Sequence, residues 1–242
     1  MAVSGQAQAP PAFVRLAAHP LRWQLLTTLA GGDYRVRELV ALVDQPQNLV
    51  SYHLRLLRDG GLVSTARSTF DGRDTYYHLD LDRCADALAA TGAALHPALR
   101  PQAAPMSQGI AVLFVCTGNS IRSPIAEALL RHHTTGRVHV TSAGTHPKPQ
   151  LNPDAERVLR ETFALDITGH RPRHLDTVAH TRFDHVITLC DKAREALSGF
   201  DRARRAHWSI PEPAGYPHVH HTAAAIDTRI RHLVPVLAQE DQ

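Results

Sequence analysis

A chain of 242 residues exceeds the usual single-domain size of ~100–150 residues, so two domains are expected. Hydrophobic residues make up 43%, enough to fill buried cores, and three cysteines are too few for a disulfide framework. A net charge of +3 is compatible with nucleic acid without demanding it; no apolar run is long enough for a membrane span and residues 1–10 carry no signal peptide, which together predict a cytoplasmic protein with reduced thiols.

Residues 1–10 read as a disordered tail, and the first domain as 11–95. Residues 21–29 place apolar side chains on one face of a helix that stops at Gly31-Gly32. Residues 36–43 form a second short amphipathic helix and 47–58 a third, closing at Gly60-Gly61, with Asp44-Gln45-Pro46 as the turn between them. Strands follow over 62–68 and 74–79, joined across Phe70-Asp71-Gly72-Arg73, where Asp-Gly signals a hairpin, and Cys84 opens a further helix. This order is that of a winged helix-turn-helix, an α+β domain whose second short helix enters the major groove of double-stranded DNA.

In that helix Leu49, Val50, Leu54, Leu56 and Leu57, with Leu62 beyond it, are expected in or near the core. Gln47, Asn48, Ser51, Tyr52, His53 and Arg55 are then left to face DNA, where Gln and Asn read adenine and Arg reads guanine. Arg67 and Arg73 on the wing neutralise phosphates. The competing reading is a helical domain with a solvated polar face.

The run from Gln47 to Val63 resembles the recognition helix of the ArsR family of metalloid-responsive repressors, and the resemblance extends over about residues 11–94. It implies an operator-binding homodimer formed through the flanking helices. Arsenic sensors of that family carry a cysteine pair on the helix before the turn, where this chain has Glu38-Leu39-Val40-Ala41-Leu42-Val43-Asp44. Cys84 alone offers too few soft ligands for trivalent arsenic and reads as structural. His218-Val219-His220-His221 reads as a Pro-flanked loop rather than a metal site, and no metal is expected.

Residues 96–109 contain three prolines and no apolar periodicity, a semi-stiff linker; Met106 has the look of a former start, as after a gene fusion. The second domain, 110–242, opens with the apolar run Ile110-Ala111-Val112-Leu113-Phe114-Val115, suited to a buried parallel strand of an α/β domain. Pro124 then marks the first turn of a helix that buries Ile125, Ala126, Leu129 and Leu130 on one face. The loop Cys116-Thr117-Gly118-Asn119-Ser120-Ile121 therefore aims N–H groups and a helix dipole at one spot, an anion site.

A thiol there should ionise below its free pKa of roughly 8.5, making Cys116 a thiolate. Arg122 can grip two oxygens of a phosphate or arsenate, Gly118 and Asn119 tolerate left-handed backbone, and Ser123 can donate to the sulfur. A buried structural cysteine at a strand end is the alternative.

These residues resemble the low-molecular-weight protein tyrosine phosphatase superfamily, which includes thioredoxin-coupled arsenate reductases. Thr141-Ser142-Ala143-Gly144-Thr145 after the second strand, the segment 166–175, the strand 184–190 and His207-Trp208-Ser209-Ile210-Pro211-Glu212-Pro213-Ala214 extend the match. The resemblance implies that Cys116 attacks, that Arg122 and the loop amides of Thr117, Gly118, Asn119, Ser120 and Ile121 hold the oxyanion, and that Glu212 protonates the departing oxygen. Glu212 stands where the family has Asp, one methylene further out, and ~1 Å of misplacement can cost on the order of 100-fold.

Cys190 matches the second thiol of the reductase relay, while the third, near Leu197, is absent. No bound cofactor is implied; an external reductant, thioredoxin or a low-molecular-weight thiol, would close the cycle. Cys190 also reads as a plain strand-end residue. Ala214 and Gly215 replace the aromatic residues that grip phosphotyrosine, and His207-Trp208 resembles the reductase branch, so an arsenate reductase fused to a regulator is expected. A phosphotyrosine or small phosphoester phosphatase and a non-catalytic oxyanion sensor are the alternatives.

Overall fold

A computed structural model describes residues 9–68, 74–96 and 109–239. Most of the expected tail and linker, Met106 and the hairpin turn with Arg73 lie outside the described residues. The chain divides into two compact units.

The first unit is built on α1 (Ala12–Ala17), α2 (Pro20–Ala30), β1 (Tyr34–Arg35), α3 (Val36–Val43), α4 (Gln47–Asp59), β2 (Val63–Arg67), β3 (Thr75–Leu79) and α5 (Leu81–Leu95), although residues 31–33, 66–68 and 74–76, with the ends of β2 and β3, group with the second. The short α1 and β1 were not apparent in the periodicity; β1 adds to the hairpin in the order β1-β3-β2. At the start of α3, Glu38 accepts from the Arg35 amide at 2.8 Å, and Asp44 ends the helix in left-handed backbone, φ 49. Pro46 then opens α4 with a preset extended φ/ψ.

Leu25, Leu39, Val50, Leu54 and Leu57 are wholly buried and form the centre of this unit, each side chain worth ~1.5–3 kcal/mol of transfer free energy. The buried stripe of α4 is Val50, His53, Leu54 and Leu57. Leu49, expected near the core, lies off that stripe and is exposed. Helix α5 is capped by Asp80, whose carboxylate accepts from the Arg83 amide, yet none of its residues is buried.

The second unit runs β4 (Ala111–Cys116), α6 (Arg122–His133), β5 (His139–Gly144), α7 (Pro153–Phe163), a 3₁₀ turn (Leu175–Val178), β6 (His185–Thr188), α8 (Asp191–Ala196), β7 (Arg204–His207) and α9 (Tyr216–Gln239). All pairings are parallel, in the order β5-β4-β6-β7. Strand β4 is central, so from Val112 onward it is buried and its sequence is unbroken apolar. The chain leaves β4 for a neighbour on one side and later returns to its other side. That reversal opens a crevice beyond the carboxyl end of β4, at Cys116.

Helix α6 packs on β4, β5 and α9 together, so every residue from Arg122 to Leu130 is buried instead of the single face expected. Thr141 to Gly144 lie within β5 rather than after it. His218 to His221 belong to the first turns of α9, not to a loop, because Gly215 at φ 78 starts the helix just ahead of them. Among the described residues no helix is long and apolar enough to cross a membrane.

Candidate functional site

Cys116 is the last residue of β4 and Arg122 the first of α6, so strand and helix fix both ends of the loop between them. The loop is held from outside. The carbonyls of Cys116, Thr117, Gly118 and Ser120 accept from the amides of Thr145, His146, Lys148 and Asn152, at 3.2, 2.8, 2.8 and 3.0 Å. With those carbonyls committed to that segment, the loop amides other than that of Asn119, which turns to the Cys116 sulfur, remain available to an anion. Asn119 adopts φ 44, as expected, whereas Gly118 does not take positive φ. The glycine that matters here is Gly144, where a Cβ would stand 2.7 Å from the Thr117 carbonyl oxygen and 3.0 Å from the Asn119 nitrogen.

Behind the loop a hydrogen-bond chain decides proton directions. Ser142 Oγ lies 2.6 Å from Glu127 Oε2 and donates to it; Asn119 Nδ2 donates to Ser142 Oγ and to Ser123 Oγ, both at 2.9 Å. With Asn119 as the donor of that bond, the Ser123 hydroxyl proton is uncommitted and available to Cys116 Sγ, 3.1 Å away. The Asn119 amide adds a second donor to the sulfur at 3.2 Å, and Asn119 Oδ1 accepts from the Arg173 amide. Glu127 is also paired with Arg131 at 2.6 Å and faces His170 at 3.8 Å, and burial holds the His170 imidazole below its usual range.

The sulfur itself departs from expectation. Burial pushes the Cys116 thiol up, against the opposing pull of Arg122 and Ser123, the reverse of the direction expected. Arg122 is likewise engaged: Nη1 donates to the Ile210 carbonyl at 2.9 Å and Nη2 to Glu212. Glu212, whose side chain is mostly exposed, accepts from the guanidinium.

Cys190 caps α8, is buried, and lies 3.3 Å from Thr117 Oγ1. Cys116, Arg122, Cys190 and Glu212 line one cavity of about 300 Å³ together with Lys148 and Lys192, which the sequence reading passed over. Glu127, Ser142 and His170 were also unassigned; a lone glutamate between Ala126 and Ala128 on an apolar helix was the available signal. Trp208 is a core residue, its ring 5.7 Å from that of Phe114.

On α4 Gln47, Asn48, Tyr52 and Arg55 are exposed and Ser51 is half-buried; Arg67, at the end of β2, is exposed too. His53 is not on that face: it is buried, its ring 4.3 Å from that of His19, with Nδ1 unpartnered and burial lowering its pKa. It occupies the i+3 place after Val50, inside the apolar stripe. Cys84 is half-buried, and its thiol is pushed up to about 11 by burial and by Asp80. Among the described residues no three potential metal ligands gather, and His218 and His221 contact backbone carbonyls of Ala214 and Pro217.

Residues 111–242 match the family described as Low molecular weight phosphotyrosine protein phosphatase, and residues 19–65 match Bacterial regulatory protein, arsR family. An arsenate reductase of Bacillus anthracis is 33% identical over 123 residues, covering 50% of this chain and 90% of the relative. One from Brevibacillus brevis is 31% identical over 123 residues, with the same shares of 50% and 90%. The crystal structure of an arsenate reductase from Archaeoglobus fulgidus is 30% identical, covers 51% of this chain and 98% of that one, and superposes with a TM-score of 0.46.

Proposed function

We propose, from the premise that the chain belongs to the low molecular weight phosphotyrosine protein phosphatase family and carries an arsR-type helix-turn-helix ahead of that domain, that it reduces arsenate with Cys116 and Cys190 and regulates transcription through its first unit. The observation that carries the reductase reading is the convergence of two buried thiols on one cavity beside Arg122.

The steps balance. Monohydrogen arsenate enters the loop and takes the Arg122 fork from Glu212. The protonated Cys116 thiol attacks arsenic and its proton leaves with an arsenate oxygen as water, so a sulfur–arsenic bond replaces an arsenic–oxygen bond. The Cys190 thiol then attacks Cys116 Sγ, its proton passing to the departing arsenic oxyanion; the sulfur–arsenic bond breaks with its electron pair on arsenic, arsenic falls from the +5 to the +3 state, and a Cys116–Cys190 disulfide forms. An external thiol reductant restores the pair. Ser123, donating to Cys116 Sγ, stabilises the sulfur whenever it departs as an anion.

Gln47, Asn48, Ser51, Tyr52 and Arg55 read operator DNA, with Leu49 available for a thymine methyl and Arg67 for a phosphate. A homodimer forms through α1 and α5, covering the exposed Leu88 and Leu95. The two functions occupy separate domains, 11–95 and 110–242, and residues 106–242 expressed alone fold and bind oxyanions.

The test is arsenite release from arsenate plus a thiol reductant, beside phosphate release from an aryl phosphate. Loss of arsenite formation in both Cys116→Ser and Cys190→Ser supports the relay. Phosphate release that survives Cys190→Ser but not Cys116→Ser makes the protein a phosphatase; neither activity, with oxyanion-dependent DNA affinity, makes it a sensor.

A further inference from the structure

The chain has 26 basic residues of the Lys and Arg type, of which only two, Lys148 and Lys192, are lysines. Both line the cavity that holds Cys116 and Arg122. They reach it from different elements: Lys148 from the segment that laces the loop after β5, Lys192 from the first turn of α8. The Lys148 amide donates to the Gly118 carbonyl at 2.8 Å, and its side chain lies over Gly118, so its stem is tied to the loop itself. Both side chains are exposed, and neither ammonium has an ion-pair or hydrogen-bond partner among the described residues.

A tetrahedral oxyanion seated in the loop has its inner oxygens held by amides and by the planar Arg122 fork. One oxygen is left pointing to the cavity mouth. In arsenate, phosphate or sulfate that oxygen carries charge or a hydroxyl, whereas in a phosphate ester it bears the organic group. A compact ammonium with three rotating donors suits a single outward oxygen, as a guanidinium suits two inner ones. Organic groups gain most from apolar or aromatic walls, and beside the thiols, Arg122 and Glu212 the lining side chains are Thr117, Ser120, Ile121, His146, Lys148 and Lys192, with Ile121 the one aliphatic group among them.

We propose that Lys148 and Lys192 are specificity-determining residues that bind the outward oxygen of an inorganic tetrahedral oxyanion, and so select the free ion over its organic esters. The inference rests on the reading of the Cys116 loop as an oxyanion site. It concerns which oxyanion enters, not whether arsenic is reduced.

The test is equilibrium binding to the full chain of inorganic phosphate and of phenylphosphonate, at a pH where both are dianions and at low ionic strength. The wild type should favour phosphate about tenfold or more. In the Lys148→Met/Lys192→Met double variant phosphate affinity should fall by about tenfold while phenylphosphonate changes by less than about threefold. The double Lys→Arg variant, which keeps the charge, should recover part of the phosphate affinity. A phosphate-to-phenylphosphonate ratio unchanged within about twofold overturns the proposal, whether both affinities hold or both fall together. If the ratio shifts as expected but no arsenite forms from arsenate, the reductase reading fails and this one stands.

Discussion

Replacing Asn119 by alanine and, separately, by glycine divides its contribution into two measurable parts. Its side chain makes three hydrogen bonds at 2.9 Å in a wholly buried setting, to Ser123, to Ser142 and from the Arg173 amide. Each such bond is worth about 1 kcal/mol net, and stranding a buried donor adds ~1–3 kcal/mol, so removal of the side chain should cost ~4–6 kcal/mol. Alanine must also hold φ 44, a further ~1–2 kcal/mol that glycine avoids. Asn119→Ala should therefore lie below Asn119→Gly by about 1 kcal/mol. The assay is urea unfolding followed by Trp208 fluorescence in a Trp23→Phe background, with the alkylation rate of Cys116 recorded in parallel. If both variants stay within ~1 kcal/mol of the parent and the alkylation rate is unmoved, the hydrogen-bond chain does not support the thiol and the reasoning fails.

Gly144→Ala should abolish oxyanion binding and destabilise the second unit by ~1–3 kcal/mol, because its methyl meets backbone at 2.7 Å; retained phosphate binding would refute this. Glu212→Gln should tighten phosphate binding several-fold by freeing Arg122 of a competing carboxylate, as read by calorimetry. Arg55→Ala should weaken operator binding by ~1–3 kcal/mol in a gel-shift titration, whereas His53→Ala should lower the melting temperature of the first unit instead. Cys84, its thiol at about 11, should alkylate more slowly than free cysteine at pH 8.5. Both Cys84 and Cys116 have folded pKa values above the unfolded one, so their stabilising contribution is full below the free-thiol pKa and is lost as pH rises through the folded value. Base-induced unfolding should thus begin earlier in the parent than in variants with Ser at both positions.

The loop, its strand and its helix were legible because they are contiguous: an apolar run, a thiol, small residues, a guanidinium and a proline in register. The stripe of α4 was legible too, yet His53 was placed by residue type, which favoured DNA, rather than by its position between Val50 and Leu57. What escaped reading was assembled across distance. Ser142 and Gly144 reach the loop only because β5 pairs with β4, and the Arg122–Glu212 contact joins residues 90 apart. The state of Cys116 depends on the balance between a desolvating core and one guanidinium, and local spacing carries no measure of burial.

At Gly144 two backbones meet with no side chain between them, and the nearest loop atoms belong to Thr117 and Asn119. The socket is consequently inextensible on that flank: an engineer wishing to admit bulkier substrates cannot carve room there, because nothing remains to trim. Remodelling would have to proceed instead around Gln150 and Pro213, where the adjoining groove is walled by side chains that can be exchanged.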